Sequence, residues 1–194
     1  MDLQEYNIKI QQLAAKAKEK AMAMIFVPAA SELLANTKNR IIQEGKKADG
    51  GQIGSYSTKE TYVELSQFIV RSAFKPQGKN TVGAKGKART VKPDGTPRKT
   101  MYLANGYKEL REIQGRPTEK VNLFYRGDLM LSYVQQNEPA YILLGLDKES
   151  EAKKREGLEK KFGEGLLQPS DEDLEIYQRQ VTEGVKALQI ALLK

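Results

Sequence analysis

Apolar residues near the start of the chain recur at three- and four-residue steps. The members of this stripe are Leu3, Tyr6, Ile10, Leu13, Ala17 and Ala21. The spacing predicts an amphipathic helix over residues 3–24. Pro28 is expected to interrupt it, because proline lacks the N–H that a helix requires, and a second helix is predicted over about 29–44. Two interpretations stay open and are compatible: the helix packs on a sheet, or it also packs against neighbouring copies in a ring.

The C-terminal third predicts two more helices. Residues 148–161 are densely charged with a helical pattern, which is typical of a solvated helix or of a segment that finishes folding against a partner. Ser170 then precedes three acidic residues, a pattern that favours a capped helix start. Beyond it, one apolar stripe runs to the end of the chain and is predicted to face the core. Its members are Leu174, Tyr177, Val181, Val185, Leu188 and Leu192.

The central segment mixes helical and extended patterns. Helical spacing over 102–114 ends at Gly115 and Pro117, and alternation then predicts a strand over 121–126. Residues 134–136 and 141–144 predict a hairpin with a turn between them. Residues 58–73 are assigned to a helix, although their β-branched residues also suit a strand.

These elements predict an α+β fold in a single connector-like domain over residues 1–194. Long N- and C-terminal helices are expected to pack on a small, mainly antiparallel sheet built from residues 121–144. A basic arm, residues 75–100, is expected to be inserted before the helix at 102–114.

The amino-acid composition of the chain argues against several classes of function. The chain of 194 residues has neither cysteine nor histidine. It therefore lacks thiolate chemistry and the commonest general base and metal ligand near neutral pH. The remaining acidic residues show no convergent pair by spacing, so we expect no enzyme, no catalytic, cofactor or metal site, and no cofactor. No apolar run approaches the length of a membrane span and the first residues do not resemble a signal peptide, so a cytoplasmic protein without membrane contact is expected.

The arm carries the excess positive charge of the chain. Against one acid, Asp94, its basic residues are Lys75, Lys79, Lys85, Lys87, Arg89, Lys92, Arg98 and Lys99. Its net charge of +7 equals that of the whole chain, so the remainder is balanced. The arm is rich in glycine and proline and has no apolar periodicity, so it cannot bury enough surface to order by itself.

Two interpretations of the arm stay open. It is a solvated loop, or it orders against a nucleic-acid backbone or an acidic neighbouring protein. Because no aromatic residues are interleaved to stack on bases, contact with nucleic acid is expected to be independent of sequence. Gly78 and Gly83 have phosphate-loop spacing, but Ala84-Lys85-Gly86 replaces the required lysine and hydroxyl, which argues against a nucleotide site.

The segment from 101 to 133 resembles the neck and tail-completion proteins of long-tailed bacteriophages, a broad group of small head-tail connectors. The resemblance rests on a helix with tyrosine and arginine four residues apart, a Lys-Val-Asn-Leu connection and a Gly-Asp-Leu-x-x-Ser turn. The matching positions are Tyr107, Arg111, Val121, Leu123, Gly127, Leu129 and Ser132. It extends weakly through Gly157–Gly163 and Pro169-Ser170 to the C-terminal helix, about half of the chain.

The resemblance implies a structural virion protein, a neck or tail-completion subunit whose copies form a homomeric ring that joins head to tail around the DNA channel. Its implied partners are other copies of itself, adjacent head-connector and tail proteins, and packaged DNA through non-specific contact. The alternative is a sequence-independent nucleic-acid-binding protein that acts through the basic arm.

Overall fold

The computed structural model describes residues 3–74, 100–124 and 126–192, and it contains six α-helices and four strands there. The elements in chain order are α1 (Leu3–Ala21), a π-helical segment (Met22–Phe26), α2 (Val27–Asn39), a second π-helical segment (Arg40–Glu44), β1 (Thr61–Glu64), β2 (Thr100–Leu103), α3 (Gly106–Ile113), α4 (Asp128–Ser132), β3 (Tyr133–Asn137), β4 (Ile142–Leu146), α5 (Glu149–Phe162) and α6 (Asp171–Leu192). Short 3₁₀ turns occupy Leu65–Gln67 and Arg71–Ala73.

The α+β class is confirmed, but the sheet is not one piece. In the described residues, β1 pairs with β2 and β3 pairs with β4, which gives two separate two-stranded antiparallel sheets. The chain divides into two compact units: Met1–Ile53 with Asn122–Lys194, called here the helical unit, and Gly54–Val121, called the arm-bearing unit. The prediction of a single domain stays a prediction.

The predicted interruption at Pro28 is wrong, because the helical path continues from α1 into α2. A π-helical segment lies directly before the proline, and there the N–H of Val27 donates to the carbonyl of Met22, five residues back. Pro28 then falls in the first turn of α2, where its missing N–H costs little. The change from α-helical to π-helical hydrogen bonding therefore accommodates Pro28, which would otherwise break the helix.

Helix α6 packs antiparallel on α2 and on the π-helical segment before it. Gln180 donates to Glu32 at 2.6 Å, and four residues further along α6, Gly184 meets Ile25. A Cβ on Gly184 would lie 2.7 Å from Cγ2 of Ile25. The glycine thus permits the close approach of the two helices, which a larger residue would prevent.

We predict that Gly184→Ala destabilises the helical unit by about 1–2 kcal/mol, because the clash with Ile25 outweighs the better helix propensity of alanine. Gly157→Ala in α5 is the matched control, since a Cβ there meets nothing within 4 Å. The free energy of unfolding of this control variant should rise by about 0.5–1 kcal/mol. Denaturant unfolding measures both, and Ile25→Ala should make Gly184→Ala favourable in the double variant. A stabilised Gly184→Ala single variant would contradict the packing.

The predicted hairpin and C-terminal helices are confirmed. The stripe predicted to face the core is only half-buried at Tyr177, Val181, Val185 and Leu188, and Leu174 is exposed. Strands β3 and β4 pair in the register Gln135 with Leu144, and the Gln135 amide donates to the carbonyl of Val27 at 3.3 Å, which ties the hairpin to α2. Ser170 caps α6 as expected. Its Oγ accepts from the N–H of Asp173 at 3.2 Å, while the Asp173 carboxylate accepts from the N–H of Ser170 at 3.0 Å. This reciprocal pair is a capping box.

Two extended or helical assignments are wrong. Residues 121–124 and 126 form no strand, because the left-handed backbone of Leu123 (φ 50°) interrupts the alternation there. Residues 58–73 form no α-helix but β1 and two 3₁₀ turns. Their β-branched and aromatic side chains pair across β1 and β2, so cross-strand contacts prevail over the helical spacing. The predicted helix at 102–114 is shorter, since its first residues belong to β2.

Candidate functional site

The basic arm is inserted between two paired strands of the arm-bearing unit. In the antiparallel register of β1 and β2, Glu64 lies opposite Thr100, the residue at which the described chain resumes. Thr100 is buried, and its Oγ1 has no hydrogen-bond partner among the described residues. The predicted contact residues of the arm lie outside the described residues: Lys75, Lys79, Lys85, Lys87, Arg89, Lys92, Arg98 and Lys99. Gly78 and Gly83, the two glycines with phosphate-loop spacing, also lie outside the described residues.

The hairpin that precedes and follows the arm carries a cross-strand aromatic pair. Tyr62 lies opposite Tyr102, with ring centroids 5.2 Å apart. The Tyr102 hydroxyl donates to the Glu60 carboxylate at 2.8 Å, and this hydrogen bond raises the pKa of Tyr102 above its ordinary value. Sequence analysis did not find this pair, because residues 62 and 102 come together only through the strand pairing.

Two of the predicted motif residues, Tyr107 and Arg111, lie together on α3. Tyr107 packs against Tyr56 with ring centroids 5.7 Å apart, and the Arg111 guanidinium lies 4.4 Å from the centroid of the same Tyr56 ring. Arg111 Nε also donates to the carbonyl of Pro117 at 2.9 Å. Only 1% of Arg111 is exposed. The structure therefore places Arg111 in the interior of the arm-bearing unit, whereas Tyr107 is half-buried.

The other motif residues are divided between the units. Val121 is the last residue of the arm-bearing unit, and the rest belong to the helical unit. Gly127, with φ 95°, is the N-cap of α4, and Leu129 in that helix is buried. Ser132 is buried and donates from Oγ to the carbonyl of Asp128 at 2.6 Å. These contacts are those of a tight turn and a short helix. The remaining motif residue, Leu123, is half-buried.

A buried polar cluster in the helical unit escaped sequence analysis. Arg40 Nε lies 3.4 Å from Asp173 Oδ2, and its terminal nitrogens donate to the carbonyls of Lys46 and Gln168. Tyr133 lies near this pair, and its hydroxyl donates to the carbonyl of Leu167 at 2.8 Å. The cluster fastens the start of α6 to the end of α2. The sequence spacing could have indicated that Arg40 is buried. Arg40 falls three residues after Thr37, on the side of the helix that also carries buried Leu33.

Burial raises the pKa of Tyr133, with Arg40 lowering it and Asp173 raising it. A pKa that is higher in the folded state means that Tyr133 contributes stability below its unfolded pKa of about 10. This contribution is lost as the pH rises through the folded pKa. We therefore predict that the wild type loses stability above about pH 10 more steeply than Tyr133→Phe does.

Denaturant unfolding across the alkaline range compares the slopes of the two proteins. The Phe variant should be less stable by about 1 kcal/mol at neutral pH, because the Leu167 carbonyl loses its donor. Its ultraviolet titration should also lack one of the tyrosines that ionise late, while Tyr102, whose pKa is raised as well, remains. Tryptophan does not interfere, because the chain has none. Equal slopes for wild type and variant would contradict the effect of burial on Tyr133.

A cavity of about 350 Å³ lies beside β4, between α5 and the connection to α6. Residues 144–146 line it, and its charged lining residues are Arg155, Glu159 and Glu164. Arg155 Nε lies 3.5 Å from Glu159 Oε2. Arg155 and Glu159 thus partly neutralise one another.

Among residues 3–74, 100–124 and 126–192, no cluster of three acidic side chains is placed to hold a metal ion. The helices of that part of the chain are all too short or too polar to cross a membrane. No protein-family model matches the chain, and neither a curated protein nor a solved structure shows significant similarity to it.

Proposed function

We propose that this chain is a structural, non-catalytic virion protein of a tailed bacteriophage. It acts as a neck or tail-completion subunit, and its copies form a ring that joins head to tail around the DNA channel. The sequence resemblance at 101–133 supports this function. So does a composition without histidine or cysteine, which leaves little catalytic chemistry.

The observation that carries the proposal is the insertion of the arm between paired strands. Eight basic residues and one acid lie between Phe74 and Thr100, and β1 and β2 on either side are hydrogen-bonded to each other. A ring of such subunits brings many copies of a positive segment together around one axis. Phosphate contacts made by lysine and arginine carry no base specificity, as DNA passing through a channel requires.

The test is assembly on phage particles. Light scattering and negative-stain microscopy are applied to the purified protein, alone and mixed with tails or connector rings from the same source. Rings, or a monomer that assembles only on such particles, are the expected result. A monomer that ignores the particles and yet shifts DNA or RNA at physiological salt overturns the proposal.

The charge of the arm favours one second function, sequence-independent nucleic-acid binding by the free protein. This function predicts that deletion of residues 76–99 abolishes binding. A milder variant, Lys85→Gln with Lys87→Gln, should lower the salt dependence of binding by nearly two units in the log–log slope if both lysines contact phosphate. The virion function predicts that both variants still assemble, because the arm lines the channel rather than forming the ring.

A further inference from the structure

Helix α1 carries several apolar side chains that are exposed in the described part of the chain. Among its described side chains, Ile8 is 54% exposed, Ile10 46% and Leu13 66%. Ile10 and Leu13 form a stripe at three- and four-residue steps with Ala17 and Ala21, which are half-buried. A helix of 19 residues gains most of its stability from packing, so the exposed residues at the start of this stripe mark a surface that binds a partner.

The stripe is continuous with one that is already covered by a helix. Four residues after Ala21 comes Ile25, and four further on comes Ala29, and both are buried in the region where α6 packs. Since α6 runs antiparallel to α2, it passes Ile25 at Gly184 and its described part ends eight residues later. The uncovered stripe on α1 therefore extends a surface that accepts an α6 helix within each copy.

Charge identifies which surface fits α1. Lys16 and Lys20, four residues apart, are exposed beside Leu13 on the helix surface. On α6, Asp171 and Glu175 are also four residues apart and exposed. An antiparallel arrangement places Lys16 against Glu175 and Lys20 against Asp171, with the two helix dipoles opposed.

These two surfaces cannot meet within one copy. The start of α6 is fixed at Arg40 by the ion pair with Asp173, and Arg40 is twenty residues beyond Lys20 on one continuous helical path. At a rise of about 1.5 Å per residue, this path separates them by about 30 Å. Any pairing of Lys20 with Asp171 must therefore join two copies.

We infer that α1 of one copy docks antiparallel on the first half of α6 of a second copy. The two surfaces differ, so the contact is heterologous and repeats from copy to copy until it closes. This contact is the subunit interface of the proposed homomeric ring. Only the closure of the repeated contacts into a ring rests on the proposed function.

Paired charge reversals test the contact by mass, using light scattering and analytical ultracentrifugation. Lys16→Glu with Lys20→Glu, and separately Asp171→Lys with Glu175→Lys, should each convert the assembled protein to monomer while circular dichroism stays unchanged. A mixture of the two variants should reassemble, because each variant then supplies the complement of the other. The single variant Lys20→Glu should also weaken assembly, and Lys18→Glu is its matched control, since it makes the same change of charge on the other side of α1.

Cysteine scanning gives an independent readout, because the natural chain has no cysteine. Lys16→Cys with Glu175→Cys in one chain should form disulfides only between copies, and a ladder of covalent oligomers should appear on oxidation. Oxidation that leaves the chain monomeric overturns the contact.

Other outcomes also decide the inference. If the Lys16/Lys20 variant dissociates but the Asp171/Glu175 variant stays assembled, α1 meets another surface, such as a second α1, and the inference is wrong. A wild type that stays monomeric at every concentration, both alone and mixed with phage particles, overturns it as well. If assembly on phage particles persists but ignores these reversals, the contact fails while the proposed function stands. If the mixture reassembles but never binds particles, the contact stands and the proposed function fails.

Discussion

Gly106→Ala is expected to destabilise the arm-bearing unit by about 3 kcal/mol or more. Gly106 begins α3 with a left-handed backbone (φ 57°). A Cβ there would overlap the carbonyl oxygen of Lys59 and lie 3.0 Å from that of Ser57. The same Ser57 carbonyl accepts from the N–H of Lys108 at 3.1 Å, so the segment before β1 cannot retreat without losing this hydrogen bond.

Gly115→Ala is the matched control for that variant. Gly115 has nearly the same backbone (φ 64°) but a Cβ there meets nothing within 4 Å. It closes α3, where its N–H donates to the Glu112 carbonyl and the next N–H donates to that of Arg111. Its cost is therefore the left-handed strain alone, about 1 kcal/mol.

Amide hydrogen exchange at β1, β2 and α3 measures both glycine variants within their own unit. This local readout is preferable to one global transition, because a chain of two compact units need not unfold in one step. Equal losses at Gly106 and Gly115 would contradict the close approach of the Lys59 carbonyl to α3.

The helices and one hairpin were predictable because their signals are local. The acidic start of α6 and the apolar stripe that follows need no tertiary context, and the same holds for the turn between β3 and β4. The strand predicted at 121–126 failed for a reason that sequence spacing does not contain. Alternation cannot reveal the positive φ of Leu123, a conformation that a non-glycine residue rarely adopts.

The candidate site was less predictable than the fold. The helical spacing placed Arg111 on the polar side of the helix, but it is buried, because its partner Tyr56 lies about fifty residues earlier in the chain. The buried role of Arg40 was missed because its partners, the Gln168 carbonyl and the Asp173 carboxylate, come from a distant part of the chain. Such polar clusters are set by tertiary contacts between distant segments, and sequence periodicity does not record them.

Arg111→Ala is expected to cost the arm-bearing unit about 3 kcal/mol or more. The change removes the largest of the fully buried side chains, leaves a cavity beside the Tyr56 ring and deprives the Pro117 carbonyl of its donor. Arg111→Lys keeps the charge but not the planar group that lies over the ring and donates through Nε, so it should also be strongly destabilising.

Arg71→Ala is the matched control, since Arg71 belongs to the same unit but is exposed, and its loss should stay within about 0.5 kcal/mol. Hydrogen exchange of the α3 amides and the near-ultraviolet signal of the tyrosines should both report the Arg111 variants. If Arg111→Lys matches the wild type, charge alone suffices and stacking on Tyr56 is unimportant. If both variants unfold this unit but leave the helical unit protected, Arg111 is a structural residue of the unit that carries the basic arm. Tyr107 and Arg111 would then act through their contacts with Tyr56 inside this unit, rather than by contacting a partner.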